Sequence, residues 1–144
     1  MQILIVDDSP SETRVIAAAI RGLADVEAIR FMSAEHALDW AAASESIVAV
    51  VDFHMPQMDG LVFMQRLRAL PGKLETPVIL VTADADLGVR LRALEMGVND
   101  FVIKPYRAAD IRARIFAVHD AYRLSLARTR QAALAQTNEA FASS

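Results

Sequence analysis

Short apolar runs alternate with amphipathic stretches along the chain. The runs are rich in β-branched residues and predict five strands, at 3–6, 26–31, 47–51, 77–81 and 100–103. The first, third and fourth runs are almost wholly apolar, which is typical of strands buried on both faces of a parallel sheet. The second run mixes polar and apolar positions, and it therefore predicts an edge strand.

Helical patterns follow each of these runs. The first opens on Ser9 and Pro10, which suit a helix cap and the first helical position, and Glu12 is expected to complete a capping box with Ser9. Apolar stripes predict the helix faces that pack on the sheet: Val15, Ile16, Ala19, Ile20 and Leu23, then Ala37, Leu38 and Ala41, then Leu61, Met64, Leu67 and Leu70, then Leu87, Leu91 and Leu94 in a helix from near Asp86 to Gly97. Five strands alternating with five helices predict a doubly wound α/β domain.

The last helical pattern is longer than the domain needs. From Ala108 to about Ala140 the sequence has neither proline nor glycine, and a single helix over that range would be roughly 50 Å long. An apolar seam supports the first part of this helix and weakens afterwards: Ile111, Ile115, Val118, Tyr122 and Leu126. Three interpretations stay open for the end of the chain: a dimerising helix, a linker to an output domain outside this chain, or a frayed end.

Composition narrows the class of protein. The chain has 144 residues, of which 54% are hydrophobic and 23% are charged, so it is long and apolar enough for one domain with a core. It has no cysteine, which excludes disulfides and cysteine-based zinc sites. No apolar run approaches the roughly 20 residues of a membrane span, and the first run is too short for a signal peptide. We therefore expect a cytoplasmic protein with no membrane partner.

Charge is distributed unevenly along the chain. Residues 1–106 carry a net charge of −6, whereas residues 107–144 carry +3, and the total is −3. The acidic body disfavours nucleic acid, and the tail lacks the dense Lys and Arg clusters of a nucleic-acid-binding arm. We therefore expect no direct contact with nucleic acid.

Polar side chains that could bind a ligand or take part in a reaction lie where the predicted strands end. Asp7 and Asp8 follow the first strand, Asp52 the third, Thr82 the fourth and Lys104 the fifth. In an open α/β sheet, ligands bind beyond the carboxyl ends of the strands, so these side chains are expected to meet at one edge. Three carboxylates with one ammonium leave a net charge of −2, which favours recruitment of a cation.

An all-oxygen site of this kind favours Mg²⁺, which often binds beside a phosphate. The sequence has no phosphate-binding P-loop, so the site does not look built for ATP. A carboxylate can instead act as a nucleophile and take a phosphoryl group as an acyl phosphate, which the lysine and the threonine would stabilise. Lys104 is one of only two lysines beside thirteen arginines, which suggests a need for a compact ammonium at this position.

Four motifs in this chain are similar to those of the receiver domain of bacterial two-component response regulators. They are Asp7-Asp8, the segment Asp52-Phe53-His54-Met55-Pro56-Gln57-Met58-Asp59-Gly60, Val81-Thr82-Ala83, and Lys104-Pro105. The resemblance covers about residues 1–122 and leaves 123–144 as a helical extension. It implies a flavodoxin-like, five-stranded parallel sheet with strand order 2-1-3-4-5.

The resemblance also implies roles for the site residues. Asp52 matches the phosphoacceptor, Lys104 the lysine that pairs with the phosphoryl group, and Thr82 the switch hydroxyl. The implied Mg²⁺ ligands are Asp8 directly, Asp7 largely through water, Asp52, and the backbone carbonyl of His54.

Phe101 occupies the aromatic switch position, although a core role is also open for it. In the family, the ring turns inward and changes the face formed by the fourth helix, the fifth strand and the fifth helix. The side chains of His54 and Asp84 occupy positions that tune the lifetime of the phosphorylated state.

The implied partners are a histidine kinase or phosphotransfer protein as donor, and a homodimer formed through the fourth and fifth helices and the C-terminal helix. The domain would be regulatory and would catalyse only its own phosphorylation and dephosphorylation. Two alternatives stay open. One is a Mg²⁺-dependent phosphohydrolase of small molecules, although its common motif needs an Asp where His54 stands. The other is a module that works by dimerisation alone, which would not need the acidic site.

The remaining histidines and bulky side chains predict ordinary structural positions. His36 and His119 lie on predicted helices and are interpreted as solvated polar positions. Met55 and Met58 are expected to pack beside the site, and Trp40 to be partly buried away from it.

Overall fold

A computed structural model describes residues 1–83 and 87–143 of the chain. Five parallel strands form one sheet in the order β2-β1-β3-β4-β5. The strands are β1 (Gln2–Val6), β2 (Glu27–Phe31), β3 (Ile47–Asp52), β4 (Val78–Thr82) and β5 (Asp100–Ile103). The helices are α1 (Pro10–Ile20), α2 (Ala34–Ala42), α3 (Gly60–Ala69), α4 (Leu87–Glu95) and α5 (Ala108–Ser143). The doubly wound fold is the one that the sequence pattern predicted, and the strand order is the one that the family resemblance implied.

The three central strands are buried on both faces because helices cover the sheet from both sides. Alternate residues of β1, β3 and β4 point into two separate clusters. Leu4 and Val51 belong to the cluster covered by α2, α3 and α4, which includes the fully buried Phe63. Ile5 and Val50 belong to the other cluster, between the sheet and helices α1 and α5. This two-sided burial explains why these strands read as continuous apolar runs.

The strand bounds agree with the prediction to within one residue. β2 lies at one edge of the sheet, as its mixed pattern indicated, and its residues are partly or fully exposed. β3 and β4 each extend one residue further than predicted, so Asp52 and Thr82 are the last residues of their strands. Asp84 and the predicted helix start at Asp86 lie outside the described residues.

The start of α1 differs from the predicted capping box. The Ser9 hydroxyl accepts a hydrogen bond from the Glu12 backbone N–H at 3.4 Å, as expected. However, the Ser9 N–H donates to Asp7 Oδ1 at 2.9 Å, so the reciprocal bond to the Glu12 side chain is replaced. Val15 is 48% exposed and lies outside the buried stripe of the helix, so its predicted core position is wrong.

The predicted core stripe of α4 is also wrong. Leu87, Leu91 and Leu94 are 66%, 50% and 61% exposed. The helix packs on the sheet through Ala93, which is fully buried, and through the partly buried Val89. The three leucines lie on the solvent-exposed side of the helix. Gly97 follows with φ of +85°, a left-handed conformation that ends the helix as predicted.

Helix α5 continues well past the domain, as its sequence indicated. Its first turns are anchored by Ile111 and Ile115, which are fully buried, and every side chain from 127 to 140 is exposed. The predicted seam persists only as partial burial at Val118, Tyr122 and Leu126. Within the described ranges, no helix combines the length and the apolar character that crossing a membrane requires.

His119 does not have the solvated position that was predicted. It is 5% exposed, and neither of its ring nitrogens has a hydrogen-bond partner among the residues that the structure describes. The reason is its place on α5, one turn after the buried Ile115 and on the same face of the helix. His36 is exposed, and Trp40 is partly buried against Phe31, both as expected.

Candidate functional site

The carboxyl ends of four strands bring the predicted site residues together. The strand register pairs Val6 with Val51, Asp52 with Val81, and Thr82 with Ile103. Residues at the ends of β1, β3, β4 and β5 therefore line up at one edge of the sheet. Backbone hydrogen bonds continue this alignment into the loops, because Lys104 N donates to the Thr82 carbonyl at 2.8 Å.

The ammonium of Lys104 lies at the centre of the site. Its Nζ donates a hydrogen bond to Asp52 Oδ1 at 3.1 Å. The same nitrogen lies 3.7 Å from Asp7 Oδ2 and 3.9 Å from Glu12 Oε2. Partial burial would lower the pKa of Lys104, but the hydrogen bond and charge of Asp52, helped by Asp7 and Glu12, raise it. Lys104 therefore carries a permanent positive charge among carboxylates.

The two inner carboxylates are buried, which makes their negative charge unfavourable. Asp7 is 3% exposed and Asp52 is 6% exposed. Burial raises the pKa of Asp7 to about 6, against the hydrogen bond from the Ser9 N–H, and the negative charge of Asp52 adds to the increase. Burial also raises the pKa of Asp52, although the hydrogen bond and charge of Lys104 act in the opposite direction. Added positive charge at the site therefore lowers the free-energy cost of keeping these two carboxylates ionised.

Three carboxylates fit the requirements of a divalent cation. One oxygen each from Asp7, Asp8 and Asp52 lie within 4.8 Å of one another. Asp8 is exposed to solvent, whereas the other two are buried, so the cluster opens outward. Hard carboxylate oxygens with solvent access are the donor set that Mg²⁺ prefers, because this ion keeps several of its waters. The predicted contribution of the His54 carbonyl stays a prediction; the exposed ring of His54 packs edge-on against Phe53, with ring centroids 4.7 Å apart.

The loop after Asp52 is fixed by Asp59 and Gly60. Asp59 caps α3, accepting hydrogen bonds from the backbone N–H groups of Leu61 and Val62 at 2.9 Å. A Cβ added to Gly60 would lie 2.8 Å from the Asp52 carbonyl oxygen and 2.6 Å from Leu80 Cδ1. Glycine is therefore required here so that α3 can start directly against the backbone of the acidic residue.

The two predicted switch residues lie on neighbouring strands. Thr82 is fully buried at the end of β4. Phe101, on β5, is partly buried, and the guanidinium carbon of Arg90 lies 5.9 Å from its ring centroid. Phe101 also lines a cavity of about 600 Å³ between α4 and α5, together with Arg90 and Arg114. The aromatic ring is thus placed between the hydrophobic core and a surface groove.

Glu12 and Tyr106 belong to the site although no sequence pattern indicated a role for them there. The Tyr106 hydroxyl donates to Glu12 Oε2 at 3.4 Å, and this oxygen is the one that faces Lys104. Burial, followed by the negative charge of Glu12, raises the pKa of Tyr106 to about 12. No sequence signal could have found Glu12, because a glutamate in the first turn of a helix is ordinary.

A family model for the response regulator receiver domain matches residues 3–116. A cyclic di-GMP phosphodiesterase response regulator, RpfG of Xanthomonas campestris pv. campestris, is 39% identical over 115 residues, which are 79% of this chain and 30% of that protein. The chemotaxis protein CheY1 of Helicobacter pylori is 30% identical over 82% of this chain and 96% of its own length. A solved structure described as adenylate cyclase from Rhodopirellula baltica superposes with a TM-score of 0.78 at 29% identity, covering 90% of this chain and 95% of that one. The chain thus spans less than a third of the Xanthomonas relative but nearly all of the chemotaxis protein.

Proposed function

The chain belongs to the family of response regulator receiver domains, which are phosphoryl-accepting switches of two-component systems, and we propose that Asp52 is the residue that accepts the phosphoryl group. One observation carries this proposal: the Asp52 carboxylate is held by Lys104 at 3.1 Å, at the edge of the sheet where Asp7 and Asp8 also lie. Receiver domains are regulatory, and they interact with histidine kinases or phosphotransfer proteins. The comparisons favour neither a small-molecule phosphohydrolase nor a phosphorylation-independent module.

Asp52 is better suited to the transfer than its acidic neighbours. Asp7 is occupied by the hydrogen bond from Ser9 and is almost fully buried, and Asp8 is solvated. One Asp52 oxygen is oriented by the Lys104 ammonium. The carboxylate attacks the phosphorus of the donor's phosphohistidine, a P–O bond forms, and the P–N bond breaks with its electron pair passing to the imidazole. Lys104 then pairs with the phosphoryl oxygens.

Receiver domains bind Mg²⁺ at an acidic pocket, and we assign that role here to Asp7, Asp8 and Asp52, with the His54 carbonyl as the fourth protein group. When bound, the ion neutralises charge on the phosphoryl oxygens. The chain's own contribution is to hold these carboxylates within 4.8 Å of one another in spite of their repulsion. The rigid register of β1 and β3 supports that arrangement.

The switch is expected to run through Thr82 and Phe101. An added phosphoryl group draws the Thr82 hydroxyl toward it, which opens space for the Phe101 ring to turn inward. The ring would then leave the guanidinium of Arg90 and the groove between α4 and α5. This changes the face that a partner reads, in the manner of a local charge that biases a two-state element.

We further propose that the receiver domain comprises residues 1–122 and that 123–144 is a helical extension used for dimerisation or for linkage to an output domain. Helix α5 continues through the described part of the extension, and every side chain from 127 to 140 is exposed, so packing against this domain does not stabilise that segment. The exposed leucines of α4 and Phe116 of α5 supply an apolar surface for a homodimer beside it. A cytoplasmic location rests on the family alone.

Light scattering of the full chain, compared with a chain that ends at residue 122, tests the dimer. Equal monomer masses for the two chains would contradict it.

The proposed acceptor is tested by intact-protein mass spectrometry after incubation with Mg²⁺ and acetyl phosphate. The expected result is a gain of one phosphoryl group that is lost in Asp52→Asn and in a sample with EDTA. A gain that persists in the Asp52→Asn variant would place the acceptor elsewhere, and no gain in the folded wild-type protein would contradict the proposal.

A further inference from the structure

The carboxylate of Glu12 lies at the phosphoryl site and not in the capping bond that its position in the sequence predicted. The capping-box bond it was expected to make is taken by Asp7, which accepts from the Ser9 N–H. The Glu12 carboxylate instead turns toward the site, where Oε2 lies 3.9 Å from Lys104 Nζ. Its side chain is 37% exposed, so an incoming donor meets its charge.

The position of Glu12 changes the electrostatics of the site. Asp7, Asp8, Asp52 and Lys104 together carry a net charge of −2, and Glu12 makes it −3. Its negative charge both repels an anionic phosphodonor and attracts the Lys104 ammonium, which the phosphoryl oxygens must recruit. Both effects act in the same direction, against transfer from a donor with high negative charge.

Tyr106 fixes the Glu12 carboxylate in this orientation. The tyrosine packs against the cluster between α1, α5 and the sheet, and its hydroxyl donates to the oxygen that faces Lys104. The Glu12 carboxylate is therefore held between the Tyr106 hydroxyl and the Lys104 ammonium and does not simply extend into solvent.

We propose that Glu12 is a positioning residue that restrains Lys104 and selects against small dianionic phosphodonors. The inference rests on the proposed role of Asp52 and adds a specificity element to it. Lys104 keeps its bonds to Asp52 and Asp7 without Glu12, so removal of the Glu12 charge leaves the ammonium in place and makes it more available.

Two small donors separate a charge effect from a structural one. Acetyl phosphate carries two negative charges; the Asp52 carboxylate displaces acetate, which leaves with the electron pair of the broken P–O bond. Phosphoramidate is a zwitterion with one net negative charge; the same attack breaks its P–N bond and releases neutral ammonia. Both reactions form the same acyl phosphate, so only the charge of the donor and its leaving group differ.

The experiment measures initial rates of phosphoryl incorporation with both donors at saturating Mg²⁺, at low and at high ionic strength. Glu12→Gln is compared with wild type, with Tyr106→Phe and with Glu27→Gln, which removes an exposed glutamate at the opposite edge of the sheet. At low salt, Glu12→Gln is expected to react about fivefold faster with acetyl phosphate and about twofold faster with phosphoramidate, the order expected for one charge several ångströms away. The difference between donors should shrink at about 1 M salt.

The controls define the outcomes. Glu27→Gln should match wild type. Tyr106→Phe keeps the Glu12 charge but releases its carboxylate from the site, so it should change the two rates in the same sense as Glu12→Gln but by less. Equal slowing of Glu12→Gln with both donors would show a merely structural role, and unchanged rates would show none; either overturns the inference while the role of Asp52 stands. Failure of wild type to react with either donor overturns both.

A spectroscopic experiment tests the coupling between Lys104, Glu12 and Tyr106 without any phosphoryl transfer. The chain has two tyrosines, so a Tyr122→Phe background leaves Tyr106 as the single ¹³Cζ-labelled tyrosine. Adding beryllofluoride and Mg²⁺, a stable mimic of the phosphoryl group, should draw Lys104 from Glu12 and shift the Tyr106 resonance. The shift should be largely absent in Glu12→Gln, and an equal shift in both proteins would contradict the coupling.

Discussion

Replacing Asp7 with asparagine is expected to stabilise the fold in the absence of divalent cations. Asp7 is almost fully buried, and its neighbour Asp52 carries the same charge. Asparagine has the same shape, and its Oδ1 can still accept the hydrogen bond that the Ser9 N–H donates at 2.9 Å. The substitution therefore removes the unfavourable charge and retains the local structure.

The magnitude follows from the pKa of Asp7. Its rise from 3.8 to about 6 in the folded state means that the ionised carboxylate opposes folding. At about 1.4 kcal/mol per pKa unit, the penalty is about 3 kcal/mol above pH 6, and incomplete pairing of the asparagine amide reduces the expected gain to about 1–3 kcal/mol. The penalty is present above the folded pKa and declines as the pH falls from about 6 to 3.8, because the folded state then takes up the proton first.

Urea denaturation of wild type and Asp7→Asn, in EDTA at pH 8 and at pH 4, measures this difference. The variant should be more stable at pH 8, and the two proteins should approach each other at pH 4. Mg²⁺ should stabilise wild type at pH 8 and stabilise the variant less. A variant that is less stable than wild type at pH 8, or whose advantage is the same at both pH values, would refute the reasoning.

Two further changes probe other parts of the structure. Gly60→Ala should lower the free energy of unfolding by about 1–3 kcal/mol and slow phosphorylation, because the new Cβ would lie 2.8 Å from the Asp52 carbonyl oxygen. Urea denaturation measures the stability and intact mass measures the phosphorylation. A variant that matches wild type in both would contradict the prediction. His119→Leu should stabilise the fold by about 1–3 kcal/mol, because the ring nitrogens of His119 are buried and have no partner in the described part of the chain. Burial, with the charge of the N-terminal ammonium, lowers the pKa of His119, so wild type loses stability as the pH falls below about 6.5, and the advantage of the leucine variant should grow from pH 8 to pH 5.5. A constant difference over that range, measured by urea denaturation, would contradict the assignment.

The fold and the centre of the site were predictable because both depend on short-range rules. Strands buried on both faces are apolar except at their ends, so β1, β3 and β4 were found to within one residue. Residues that directly follow parallel strands must share an edge of the sheet, and this rule alone is enough to bring Asp7, Asp52 and Lys104 together.

The errors arose where one pattern allows two structures. Helix α4 has apolar residues on two faces, one with Leu87 and Leu91 and one with Val89 and Ala93, and only the packing of the folded chain shows that the smaller residues face the sheet. His119 was judged by its polar type, although its spacing of four from Ile115 placed it on the buried stripe.

Glu12 was missed for a different reason. Its position satisfies the capping-box pattern, and the competing bond from Ser9 to Asp7 depends on how the loop after β1 turns. Long-range contacts such as that between Tyr106 and Glu12 join residues 94 positions apart, which no local pattern can encode.

The central claim is that Asp52 becomes an acyl phosphate. Borohydride reduction of the protein after reaction with acetyl phosphate and Mg²⁺ converts a phosphorylated aspartate into homoserine, which peptide mass spectrometry locates. Homoserine at position 52, and at no other aspartate, is the predicted result. Homoserine at Asp7 or Asp8, or at none of the three when the same sample carries a phosphoryl group, would contradict the claim.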